Sequence, residues 1–197
     1  MTNRPTLILA STSRYRRDLL ERLRLPFEVH SPDVDETPAA GELPAALAQR
    51  LAFAKAKAVA VQHRGAIVIG ADQVADLDGQ PIGKPGSRER ATEQLRWMRG
   101  RRVVFQTAVA VVCEATGFSG AGLVPVSVRF RELTDAEIER YLRLEQPYDC
   151  AGSAKAEGLG ITLLEAIDSD DPTALIGLPL IRTSALLRQA GISALQP

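Results

Sequence analysis

A mixed α/β domain is the fold this sequence predicts, and three observations predict it. Short apolar runs end in small residues and lead into helix-length segments, as at Leu7, Ile8, Leu9 and Ala10 before Leu19, Leu20 and Leu23. Two β-rich runs, 102–115 and 122–133, follow one another across a glycine-rich turn as an antiparallel pair. Alanine-rich and charge-rich helical stretches separate the strand signals. With 197 residues, 45% of them hydrophobic, the chain can fill one core, so a single domain over 1–197 is expected.

The elements follow in order. The first strand runs to Ala10, and Ser11, Thr12 and Ser13 form a strand-to-helix turn whose hydroxyls suit an N-cap. Alternation around Phe27 and Val29 predicts a strand, which delivers Asp33, Asp35 and Glu36 to a proline-punctuated rim loop. Residues 42–64 form a helix, with Pro44 in its first turn and Leu47, Leu51 and Ala54 on one face. A second buried strand, "AIVIGA", is expected to end in front of Asp72 and Gln73. The turn "DLDGQPIGKPGS" then leads to a helix closed by Gly100. After the antiparallel pair, Thr134 and Glu137 match a capping box. A glycine-punctuated loop from Cys150 feeds one more strand, and a helix over 178–191 closes the chain.

Composition narrows the function. Lysines and arginines number 24 and acidic residues 24, so the zero net charge argues against broad attraction to nucleic acid or an anionic membrane. The two cysteines, Cys113 and Cys150, fit neither a zinc site nor a disulfide framework. With no apolar stretch of membrane length and no secretory leader pattern, a cytoplasmic location is expected. No Ser-His-Asp arrangement is suggested, because His30 and His63 fall at expected surface positions, and no Walker pattern is present.

Local anion binding is a different matter. Arg16 and Arg17 lie in the first turn of a helix, where they oppose the helix dipole unless an anion sits there with Ser11 and Ser13. Lys84, in "IGKPGS", is a point charge on a loop whose glycines let backbone approach a ligand. Taken alone, each has an ordinary explanation as solvated surface charge, and Lys55 reads as a solvated lysine on an alanine-rich helix. Asp72, following a buried strand, is a carboxylate whose surroundings can tune it, and Glu36 is a second acid able to share a divalent ion with it.

Six ordered motifs, "ILASTSRYRRDLL", "VDET", "RLAFAKA", "IGADQV", "GKP" and "GSAKAEGLGITL", together resemble the Maf-like nucleoside triphosphate pyrophosphatases over nearly the whole chain. The sequence departs at Arg14, where many relatives carry proline. The resemblance implies a mixed twisted sheet flanked by helices, like that of the inosine triphosphate pyrophosphatases, with a nucleotide cleft and usually a homodimer. It implies cleavage of a nucleoside triphosphate to monophosphate and pyrophosphate with a divalent metal, Mg or Mn. Asp72 is then the general base, Ser11, Ser13, Arg16, Arg17, Lys55 and Lys84 hold the phosphates, and Glu36 and Asp72 place the metal.

Within that resemblance, Tyr15, Gln73 and Glu157 fall at positions that separate substrate classes. The combination resembles the branch preferring 7-methyl-GTP, whose methylated base is cationic. A Tyr15 ring face would attract that cation, and a Glu157 carboxylate would accept the guanine hydrogens. The alternatives are a dTTP/UTP pyrophosphatase of the same family and a nucleotide-binding regulator of cell division without turnover.

Overall fold

The computed structural model describes residues 5–195. Strand β1 (Leu7–Ala10) is wholly buried and ends at the serine-rich turn. There the Ser13 hydroxyl caps helix α1 (Arg14–Glu21) by accepting from the Arg16 amide, and the helix buries Leu19 and Leu20. The helix stops two residues before Leu23, which packs on the same core only in part. Strand β2 (Glu28–His30) is short, with Val29 exposed and Phe27 turned to the core just before it.

Helix α2 (Pro44–Ala60) begins with proline in its first turn, where the missing amide costs nothing. Strand β3 (Ile67–Leu77) turns at Asp78 and Gly79 into β4 (Gln80–Ile82), which pairs back on its end. Helix α3 (Arg88–Met98) follows, capped by Ser87, and Gly100 leaves it at a φ of +66°. Strands β5 (Arg102–Cys113) and β6 (Phe118–Phe130) form the expected antiparallel pair. Helix α4 (Asp135–Glu145) opens with the Thr134–Glu137 capping box, and a 3₁₀ turn over Leu159–Leu163 precedes strand β7 (Leu164–Asp168). Helix α5 (Leu180–Gln189) ends the fold.

All seven strands join one mixed sheet in the order β2-β1-β3-β5-β6-β7, with β4 on the end of β3. Strands β2, β1 and β3 run parallel, and from β3 through β7 every neighbour is antiparallel. Helices cover both faces. Ile8, Ala10 and Val68 pack under α2, while Leu7, Leu9, Ile67 and Ile69 pack under α1 and α5. A third cluster under α3 and α4 fills the other half of the sheet around Phe105 and Phe130. Among the described residues, no helix is long and apolar enough to cross a membrane.

Two expectations change. The buried strand does not end before Asp72: β3 continues to Leu77, because β5 stays paired along it, with Asp72 opposite Ala108 and Gln73 opposite Thr107. What ends is β1, whose last partner is Gly70, so Asp72 lies just beyond the parallel ladder and inside the antiparallel one. The glycine-rich stretch after Gly117 is also strand rather than turn. A Cβ on Gly120 would come within 2.8 Å of Leu186, and one on Gly122 within 2.7 Å of Arg182, so these glycines let α5 lie close on β6.

Candidate active site

Alternation along β3 decides what each functional side chain meets. Val68, Gly70 and Asp72 share the face under α2, whereas Ile69, Ala71 and Gln73 share the face toward α1 and α5. On α2 the buried residues Ala48, Leu51, Ala52, Lys55, Ala56 and Val59 form the inner stripe. Lys55 is therefore an inward residue at 5% exposure, not the solvated lysine its alanine-rich surroundings suggest. Its ammonium lies 2.6 Å from Asp72 Oδ1 and 2.7 Å from Glu36 Oε1. One buried cation thus joins two carboxylates, Asp72 from the sheet and Glu36 from the rim loop.

In front of this cluster, where β1 ends, opens a cleft of about 420 Å³. Open α/β sheets bind ligands at such carboxyl ends of parallel strands. Ser11, Ser13, Arg16, Glu36, Lys55 and Lys84 all line it. The Ser11 hydroxyl accepts from the Ser13 amide at 3.1 Å and from Arg16 Nη1 at 3.5 Å. Arg16 Nε donates to the Gly177 carbonyl at 2.9 Å, so the guanidinium forms part of the wall. Desolvation lowers the Arg16 pKa, and the charges of Asp72 and Glu36 act the other way. For Glu36, partial burial opposes ionisation, yet the Lys55 hydrogen bond and the charges of Lys55, Lys84 and Arg16 outweigh it and leave the pKa lowered.

Not every expected residue meets there. Arg17 points to the exposed side of α1, where its Nε pairs with Glu21 at 3.1 Å, and it does not line the cleft. The cause is helical phase: one residue turns the side chain by about 100°. Asp72 sits behind Lys55 at 6% exposure, beneath the lining rather than in it. Asp33 and Asp35 are solvent-exposed.

At the other end the cleft is acidic and aromatic. Tyr15, Asp149, Cys150 and Glu157 line it, and the Tyr15 hydroxyl donates to Asp149 Oδ2 at 3.3 Å. The Tyr15 ring already carries the chain's own cations, with the Arg14 guanidinium 4.8 Å and the Lys155 ammonium 6.0 Å from its centroid. Gln73 fastens the wall: its Nε2 donates to the carbonyls of Ala174 and Leu175, both at 2.9 Å, and to the Thr107 hydroxyl at 3.0 Å. Two carbonyl acceptors fix the amide orientation, so Oε1 is the atom left for a ligand. Burial pushes the Cys150 thiol up to about 12, which keeps it protonated and a poor nucleophile.

Asp149 and the wall at Leu175, Ile176 and Gly177 also line the cleft, outside the motifs that mark the other residues. Asp149 directly precedes the "CAGSAKAEG" loop, and that adjacency was the available signal. The wall contributes backbone and apolar atoms and has no sequence signature.

Glu157 makes the cleft pH-sensitive. Burial raises its pKa above the ordinary 4.5, Glu145 and Asp149 add to this, and Lys155 opposes it. The folded chain then holds this proton where the unfolded chain has released it, so stability falls slightly as pH rises through that interval. A cationic ligand beside Glu157 favours the ionised form. Affinity for a cationic base is therefore expected to rise with pH from the acid side as Glu157 ionises and then level off, while Glu157→Gln gives a weaker profile without that rise. Titration calorimetry across that range checks it; a wild-type profile that rises no more than the variant's removes Glu157 from base binding.

A family model described as "Maf-like protein" matches residues 6–190 of the chain. The chain belongs to the Maf-like family. The span takes in the whole cleft of this Maf-like chain, from Ser11 to Gly177. Relatives named 7-methyl-GTP pyrophosphatase match the chain over nearly its whole length, among them the following three. One from Polaromonas sp. is 67% identical over 98% of this chain and 87% of its own length. One from Albidiferax ferrireducens is 65% identical over 96% and 95%, and one from Bordetella avium is 62% identical over 100% and 98%.

Proposed function

We propose that this Maf-like chain hydrolyses 7-methyl-GTP to 7-methyl-GMP and pyrophosphate, removing a modified nucleotide. The observation that carries the reading is the cleft's lining: Arg16, Lys55 and Lys84 around Glu36 at one end, and at the other Asp149 and Glu157 with Tyr15, whose ring Arg14 overlies. A triphosphate suits the first end and a cationic base the second. The names of the relatives support the same substrate.

In this reading a water attacks the α-phosphorus, its proton passes to Oδ2 of Asp72, the oxygen that Lys55 leaves unbonded beneath the cleft lining, and the bond from the α-phosphorus to the bridging oxygen breaks, releasing pyrophosphate. Lys55 holds the Asp72 carboxylate in place through its 2.6 Å hydrogen bond. Arg16, Lys84 and the Ser11 hydroxyl bind phosphate oxygens and offset the charge that grows on the leaving group. Arg17, solvated on Glu21, would reach the ligand only after leaving that pair.

Glu36 and Asp72 offer hard oxygen donors, but they converge on the Lys55 ammonium and no third acidic, histidine or cysteine ligand joins them among the described residues, so a divalent cation would need substrate phosphates to complete its donors, the arrangement magnesium favours. Glu36 and Asp72 would hold Mg or Mn, which supplies charge neutralisation for the departing pyrophosphate. The family resemblance extends the proposal to a homodimer working in the cytoplasm.

Product analysis tests the reading. Purified protein with magnesium is given 7-methyl-GTP, GTP, dTTP and UTP, and monophosphate and pyrophosphate are quantified. Release mainly from 7-methyl-GTP is expected. Faster release from dTTP and UTP replaces the substrate but keeps the Asp72 chemistry; release from none points to a nucleotide-binding regulator.

A further inference from the structure

Among the described residues the Tyr15 ring is the one aromatic surface in the cleft lining, and it is not free. Arg14 places its guanidinium 4.8 Å from the ring centroid and donates from Nη2 to the Tyr15 hydroxyl at 2.8 Å. That hydroxyl passes its own hydrogen to Asp149, so Arg14, Tyr15 and Asp149 form a continuous rim. Both Arg14 and Tyr15 line the cleft.

We propose that Arg14 is a specificity-determining residue, competing with a positively charged base for the Tyr15 ring and so limiting discrimination between cationic and neutral purines. The inference rests on the assignment of the Tyr15 end of the cleft to the base. Three features single out Arg14. Its guanidinium is permanently charged, so it repels a cationic base as well as covering the ring. It is exposed, and its only side-chain hydrogen bond among the described residues is to Tyr15, so it can leave. Lys155, the other cation over the ring, is tied to Glu145 and is the fixed member of the pair.

A neutral base meets only an obstructed ring, whereas a cationic one meets the obstruction and the charge. Removing Arg14 therefore favours the cationic base more. Losses common to both ligands, such as weaker phosphate attraction, cancel in the ratio of affinities. An arginine in the first turn of α1 also opposes the helix dipole, so its removal does not threaten the fold.

The test is calorimetric binding of 7-methyl-GMP and GMP to wild-type protein, Arg14→Ala and Arg14→Lys, at a pH where the methylated base is cationic. The 7-methyl-GMP to GMP affinity ratio is expected to rise about two- to fivefold in Arg14→Ala, the range an exposed cation–π contact supports. Arg14→Lys, charged but without the guanidinium that bonds the Tyr15 hydroxyl, should fall between. The rise should shrink as salt is added. An unchanged or smaller ratio in Arg14→Ala overturns the inference, even where wild type prefers the methylated ligand and the proposed substrate stands. A rising ratio from a wild type without preference keeps the inference and removes the substrate assignment. Failure of all three proteins to bind either nucleotide overturns both.

Discussion

Asp72→Asn is expected to lower kcat by about 10²- to 10⁴-fold, the range a general base supplies, while nucleotide affinity changes little. The substitution keeps shape and hydrogen-bonding capacity but removes the carboxylate proposed to accept the proton. Lys55 keeps its partner Glu36 at 2.7 Å, so the buried ammonium is not left uncompensated. Asp72 lies on a strand paired on its β5 side through Ala108, and the asparagine inherits that backbone. Steady-state kinetics with a direct binding measurement separate the possibilities. Turnover within about tenfold of wild type would show that Asp72 is not the base. Loss of binding together with turnover would mean that Lys55 and Glu36 had rearranged. In a pure binder the variant would behave as wild type, because there is no turnover to lose.

Gly70→Ala should be the most damaging single methyl in the described fold near the site. A Cβ there would lie 2.2 Å from the Ala52 carbonyl oxygen and 2.5 Å from the Ala56 amide nitrogen. Both are backbone atoms of α2 and cannot rotate aside, so the helix itself must move. Overpacking of this kind costs about 1–3 kcal/mol and sometimes more, and the rigid neighbours put this case at about 3 kcal/mol. For a chain of this size that is a fall of about 6–12 °C in Tm. The displaced helix carries Lys55, so the Lys55–Asp72 contact should lengthen and kcat fall even in the folded fraction. Thermal unfolding and kinetics on the same preparation check both effects. A variant with wild-type Tm would mean that α2 does not pack on β3 as described.

Elements set by nearby residues were legible beforehand. Ser13 caps α1, Pro44 opens α2, and Thr134 with Glu137 opens α4, as the spacing of those residues implied. These signals work because donor and acceptor lie within one helical turn of each other. The cysteines behave likewise: Cys113 and Cys150 are free, as their spacing suggested.

Lys55 shows where local reasoning fails. In an alanine-rich helix nearly every face is small and apolar enough to bury, so composition does not tell which side turns inward. The phase is chosen by Gly70, which lets α2 approach β3, and that choice brings Lys55 onto Asp72. Arg16 and Arg17 were indistinguishable as neighbours in a basic first turn, yet one holds the Gly177 carbonyl and the other faces solvent.

The sequence by itself determined the α/β class, the helix starts, the family and the candidate residues, because local hydrogen bonding, side-chain periodicity and ordered motifs are written along the chain. Only the tertiary structure decided which of those residues share a cleft. Asp72 comes to lie beneath the cleft, on Lys55, because β1 stops at Ala10 while β5 continues beside β3, and Gln73 meets a wall about 100 residues away in sequence. Arg14 holds the ring that a base would use. Such contacts depend on how distant segments pack to fill a common volume, and neither the spacing nor the identity of neighbouring residues encodes that packing.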